Sequence, residues 1–189
     1  MPQPPQVALL DGGRRLHLHH GPIDLVIGAD PGAGAGPEAR ARAFRAAAAR
    51  FEGLLEGLAR GLERHRQQMR PTTSLPDDPV ARRMYTAARP FCAAHFLTPM
   101  IAVAGAVADE VLAAICAAGP LARAYVNNGG DIALHLAPGQ AFSVAMASHG
   151  GADLGRVRVG AQSGVGGVAT SGARGRSLSL GIAESVTVL

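Results

Sequence analysis

The sequence predicts an α+β domain of mixed sheets with packed helices. Three observations carry that prediction. Short alternating apolar segments fill residues 1–28, helical periodicity occupies residues 37–118, and strand texture returns over residues 124–189. The 189 residues suit one domain, 1–189, with an enclosed core. Hydrophobic residues make up 48% of the chain, which argues against intrinsic disorder.

The N-terminal part reads as a β-meander of three strands, at residues 7–10, 14–19 and 23–28. Asp11-Gly12-Gly13 and Gly21-Pro22 supply the turns. Alternation turns Leu16 and Leu18 to one face and His17 and His19 to the other. Residues 30–37 form a Gly/Ala/Pro loop.

One long helix is expected over residues 37–69. Phe44, Ala48, Phe51, Leu55, Leu58 and Leu62 recur at steps of three and four, a single apolar stripe. Pro37 suits the first turn. Gly53, Gly57 and Gly61 lie on the other side, where each either admits a close neighbour or records composition. After a polar loop at residues 70–78, Asp77 or Asp78 caps a second helix that opens on Pro79. That helix runs to about Phe96, with a bend near Pro90. Thr98-Pro99 repeats the cap-and-proline device for a third helix, which runs to Ala118 and stops at Gly119-Pro120.

The strands expected beyond it cover residues 124–127, 132–136, 142–147, 156–159, 177–181 and 185–189. The chain ends inside the last of these, with no polar tail. The expectation is therefore a domain truncated at its C-terminal end, and an exposed final strand that invites a homo-oligomer.

All 18 basic residues are arginine. Chemistry that needs a lysine amine is excluded: a Schiff base, a P-loop lysine, a kinase-type lysine pair. The net charge is +4, but the eight arginines between Arg40 and Arg70 are interleaved with Glu52, Glu56 and Glu63. That is a solvated helix face rather than a nucleic-acid surface, and no nucleic-acid partner is expected. Cys92 and Cys116 lack a C-x-x-C and read as free thiols. The first residues have no basic or apolar signal region. Asp109 and Glu110 interrupt the apolar stretch 99–119, so a core helix is expected there and no membrane span. These features together place the protein in the cytoplasm.

Several segments bear on chemistry. His17, His19 and His20 form the densest histidine cluster, but no third ligand has sensible spacing, and no metal ligand is assigned. Residues 164–169 match G-x-G-x-x-A, yet no helix can open after them, which a dinucleotide turn requires. Ser148 and His149 would point to opposite faces of a strand and make no nucleophile–base pair. Asn127-Asn128-Gly129-Gly130-Asp131 interrupts two apolar strands. It is either a tight turn or a place where a ligand approaches the backbone, with Asp131 able to accept from a ribose or an amine. Thr170-Ser171-Gly172 sets two hydroxyls beside a glycine, which suits a phosphate or pyrophosphate.

Taken together, these segments resemble a known family. Tyr125-Val126-Asn127-Asn128-Gly129-Gly130-Asp131-Ile132 is similar to the V-N-x-G-G-D-I segment of the ApbE family, the magnesium-dependent FAD:protein FMN transferases. Ala169-Thr170-Ser171-Gly172 is similar to its A-T-S-G, and residues 102–109 to its I-A-K-G-Y-A-V-D. The opening residues 16–28 and the stretch from Thr98 to Gly105 extend the likeness over the whole chain, to a cytosolic branch of the ApbE-like superfamily.

The resemblance implies an ApbE-like (T-fold-like) α+β fold that binds FAD. It places the cofactor against Thr98, Asn127, Asn128, Gly129, Gly130, Asp131, Thr170, Ser171 and Gly172. It implies FMN transfer from FAD to a threonine or serine of a protein acceptor, with Mg²⁺ on the pyrophosphate. Two departures accompany it. Ala104 stands where the transferases carry lysine, and their magnesium-ligand segment is absent from this chain. The catalytic residues are left unassigned. The alternative expectation is the same fold as a nucleotide or small-anion binding or assembly module without catalysis.

Overall fold

A computed structural model describes residues 4–147, 151–172 and 186–189. Its centre is an antiparallel sheet of seven strands, in the order β1 (Gln6–Leu10), β2 (Arg15–His20), β3 (Ile23–Pro31), β4 (Leu121–Asn128), β5 (Asp131–Leu136), β8 (Gly167–Ser171) and β9 (Val186–Val188). The remaining strands, β6 (Ala141–Ala147) and β7 (Asp153–Gly160), pair only with each other. Helices cover one face of the large sheet. The β6–β7 hairpin covers part of the other.

The meander forms as expected. Leu16 and Leu18 on β2 are buried with Leu25, Ile27 and Ala29 on β3, while His17 and His19 face outward. The first turn is tight: Asp11, Gly12 and Gly13 all have positive φ, at 51°, 64° and 84°. Glycine adopts that conformation freely. Asp11 is the one non-glycine residue in it among the described residues.

The long helix expected over residues 37–69 is instead three helices: α1 (Ala39–Phe51), α2 (Leu54–Arg60) and α3 (Leu62–His65). Glu52 leaves the helix at ψ 132°, and Gly53 takes the left-handed conformation at φ 70°. The break resets the apolar phase, so Leu54 is buried and Leu55 only half-buried. The other two glycines admit close neighbours. A Cβ on Gly57 would stand 2.9 Å from Asp78 Oδ2, and one on Gly61 would press on the His65 ring.

Asp78 caps α4 (Pro79–Ala88), accepting a hydrogen bond from the Ala81 N–H at 2.9 Å. This helix stops short of the expected Phe96. Pro90 cannot donate into a helical ladder, and Arg89–Phe91 tightens to a 3₁₀ turn. Thr98 is not a side-chain cap. Its carbonyl accepts from the Ile101 N–H at 3.2 Å, and a 3₁₀ turn, Pro99–Ala102, leads into α5 (Val103–Ala117).

Pro99–Ala117 is long and apolar enough to cross a membrane by length and composition. In this domain one face of it packs into the core. Ala106, Val107, Ala108, Val111, Leu112 and Ile115 are buried in the cluster that includes the inner face of the sheet. Glu110 of α5 takes Arg50 of α1 and Arg83 of α4, each at 2.9 Å, tying three helices together.

Residues 167–171, where the sequence predicts no strand, form one. β8 pairs with β5 through Ile132↔Val168 and Ala133↔Gly167. The strand expected at 177–181 lies outside the described residues, as do Ser148 and His149. On the outer face, Leu134, Val159 and Val168 bury a second cluster with Tyr125, Ile132, Leu136, Phe142, Val144 and Val157. The hairpin thus shelters the β4–β5–β8 side and leaves the outer face of β2 and β3 open to water. Both cysteines are free.

Candidate functional site

β4 and β5 are joined by the two residues Gly129 and Gly130, with φ of 63° and 112°. Asn128 and Asp131 face each other across the turn. Only glycine tolerates such a pair of angles at low cost. The two asparagines serve the fold. Asn127 Oδ1 accepts from the Gly130 N–H at 2.9 Å, and Asn128 Nδ2 donates to the Ala104 carbonyl at 3.1 Å. The second bond holds the turn against the first turn of α5. The tip itself is open, since a Cβ on either glycine would meet nothing within 4 Å.

The sheet order brings Asp131 to Thr170. Asp131 opens β5, and Thr170 lies on the β8 strand beside it. Burial pushes the Asp131 carboxyl above the ordinary carboxylate range, and the backbone amide of Thr170 partly offsets this by favouring the charged form. The Thr170 hydroxyl lies 3.0 Å from that of Thr187 on β9. Ser171 ends β8, and Gly172 follows it. Two segments far apart in sequence therefore form one edge: an open diglycine turn, a half-buried carboxyl and neighbouring hydroxyls. Among the described residues, no hydrogen bond joins Thr98 to this edge. It precedes the turn that leads to α5, whose Ala104 holds Asn128.

A second concavity was not legible in the sequence. A cleft of about 240 Å³ opens on the outer face, where the β6–β7 hairpin ends, lined by Arg14, Arg15, Asp30, Arg123, Tyr125 and Phe142, among others. Asp30 accepts from Arg123 at 2.6 and 3.0 Å and lies 3.4 Å from Arg40. Arg123 also donates to the Ala141 carbonyl and lies over the Phe142 ring, 5.3 Å from its centroid. Arg15 is paired with Asp11 and stands beside the Tyr125 hydroxyl. The Tyr125 ring crosses Gly28 so closely that a Cβ there would overlap it. Strand alternation was the available signal: it puts Arg123, Tyr125 and Asn127 on one face of β4. Arg14, Arg15 and Asp30 reach the same place only through the pairing of β2, β3 and β4.

His17 and His19 do share a face, with ring centroids 6.4 Å apart, but His17 Nε2 is taken by Asp24 Oδ1 at 2.7 Å. Among the described residues, no three His, Cys, Asp or Glu side chains converge. Of the site residues, Asp131 supplies the one carboxylate, and a magnesium ion held there would take its remaining oxygens from water or a ligand's phosphates. The G-x-G-x-x-A segment runs into strand β8, which begins within it at Gly167.

A search of curated proteins finds no match for this chain. A scan against protein families matches residues 7–189, nearly the whole length. By that match the chain belongs to the family described as AbpE bacteria.

Proposed function

We propose that this protein binds a nucleotide, FAD being the first candidate, along the edge formed by the β4–β5 turn and β8. The observation that carries the reading is the meeting of Asp131 with Thr170. Two segments that resemble flavin-site motifs of the ApbE transferases are neighbours in the sheet. The open diglycine tip lets a bulky ligand approach the backbone. The Asp131 carboxyl can accept from a ribose hydroxyl or a ring N–H, and the Thr170 and Ser171 hydroxyls can donate to a pyrophosphate. Thr98, Asn127, Asn128 and Gly172 complete the proposed surface, the asparagines by holding its shape.

A second reading, a binding module without catalysis, is favoured by Ala104. At the position where the resemblance expects a lysine, this chain presents only a backbone carbonyl, already bonded to Asn128. The ApbE-like fold, and FMN transfer to a protein acceptor, belong to the first reading.

Calorimetric titration with FAD tests the proposal. Saturable binding that weakens roughly tenfold in Asp131→Ala supports it. No binding at about 1 mM FAD overturns the flavin reading. Preference for AMP over FAD in the same assay supports the binding module.

A further inference from the structure

The arginine-lined cleft on the outer face is distinct from the Asp131 edge and independent of the nucleotide reading. Three guanidinium groups, those of Arg14, Arg15 and Arg123, line it with only two carboxylates, Asp11 and Asp30, and a fourth, that of Arg40, pairs with Asp30 from outside the lining. The carboxylates do not exhaust the arginines. Asp30 engages one edge of Arg123, and the Ala141 carbonyl takes a third donor. Arg14 spends only its Nε, on the Asp11 carbonyl at 3.2 Å, and among the described residues its terminal nitrogens meet no partner. Arginine has five N–H donors and no acceptor, so Arg14 and Arg123 both keep unspent donors in the lining of the cleft. Tyr125 adds one more. A hydroxyl beside an arginine turns its oxygen toward the guanidinium, which leaves its own proton for another acceptor.

The pieces are held in place before any ligand arrives. Arg123 is fixed by Asp30, by Ala141 and by the Phe142 face. Tyr125 is fixed by the gap at Gly28 and by the edge of Phe142, with ring centroids 5.9 Å apart. The two rings offer an apolar wall for an organic group beside the charge.

We propose that this cleft binds a small phosphate monoester as its dianion. Donors from several directions suit a tetrahedral group with three terminal oxygens better than a planar carboxylate with two. The surplus of arginine over carboxylate suits two negative charges rather than one. The cleft volume, about 240 Å³, suits a small ester rather than a dinucleotide.

Phenyl phosphate is the probe, titrated against the whole chain by calorimetry. Saturable binding is expected, weakened roughly tenfold in Arg14→Ala and several-fold in Tyr125→Phe. Arg14 is exposed and Tyr125→Phe keeps the ring, so both variants should fold, which circular dichroism checks. Binding should tighten from pH 5 to pH 7.5, as the ester loses its second proton near a pKa of about 6. Asp131→Ala should leave it unchanged, which separates this site from the nucleotide edge. No saturation at about 10 mM, no effect of Arg14→Ala, benzoate binding as tightly as phenyl phosphate, or loss of binding in Asp131→Ala would each overturn the proposal.

Discussion

The carboxylate of Asp78 occupies the gap that Gly57 leaves on α2, and its other oxygen caps α4. One aspartate thus serves two helices, and the glycine is the reason it can.

Gly57→Ala sets two effects against each other. Alanine gains about 1 kcal/mol in helix propensity. Against that, its Cβ would stand 2.9 Å from Asp78 Oδ2, on a short side chain whose other oxygen is committed to the cap. Losing that cap costs about 0.5–2 kcal/mol, and displacing the carboxylate adds crowding. Net destabilisation of about 1 kcal/mol is expected by urea unfolding. In an Asp78→Ala background the sign should reverse, because only the propensity gain remains. Gly57→Ala destabilising by the same amount in both backgrounds would contradict this account.

Asp131 carries a stability cost that a binding role would explain. Burial raises its folded pKa above 3.8, so ionising it disfavours the folded state. Stability tied to this group is full below the unfolded pKa and falls as pH rises through the folded one. Asp131→Asn should therefore be more stable than the parent at pH 7 and weaker for FAD. Equal or lower melting temperature at pH 7, together with higher stability at pH 3, would contradict this.

Glu110 works the other way. Burial alone would raise its pKa, but hydrogen bonds from Arg83 and Arg50 outweigh that and leave it below 4.5. A depressed folded pKa contributes stability that is present above the unfolded value and lost as pH falls through the folded one. Glu110→Gln should cost about 1–2 kcal/mol at neutral pH. The gap from the parent should narrow below about pH 4. Denaturation curves at pH 7 and pH 3.5 check both statements.

His65 is buried against Tyr85, its Nδ1 being 3.3 Å from the hydroxyl, and burial holds its pKa below 6.5. The unfolded chain then binds the proton first. Stability should fall as pH drops from 6.5 toward the folded pKa. An imidazole resonance of His65 titrating at or above 6.5 by NMR would count against this.

How much of this was legible can be traced to particular residues. Leu16 and Leu18 alternating with His17 and His19 announced β2 correctly, because a period of two is readable over six residues. The stripe from Phe44 to Leu62 announced helix but concealed two breaks. Periodicity reports a face, whereas Gly53 and Gly61 act through backbone angles and close approach. β8 was missed because Gly167–Ser171 is small and half polar, and becomes a strand only by pairing with β5. At the site, Asp131 and Thr170 were both named from the sequence, while their contact came from sheet order. Beyond the alternation that sets Arg123 and Tyr125 on one face of β4, the arginine cleft had no local signature, since its members come from the β1–β2 turn, β2, β3, β4 and β6.

Gly28 has a consequence for how the sheet assembles. A strand that slips by one residue turns its apolar side chains to water and is rejected on that ground. A slip by two keeps the faces and escapes that penalty. Here it would bring Val26 or Asp30 to the place opposite Tyr125 that Gly28 now holds. Either side chain would run into the ring that crosses this position. The missing Cβ acts as a key cut for one alignment of β3 on β4, and every strand beyond β4 inherits its position from that single fit.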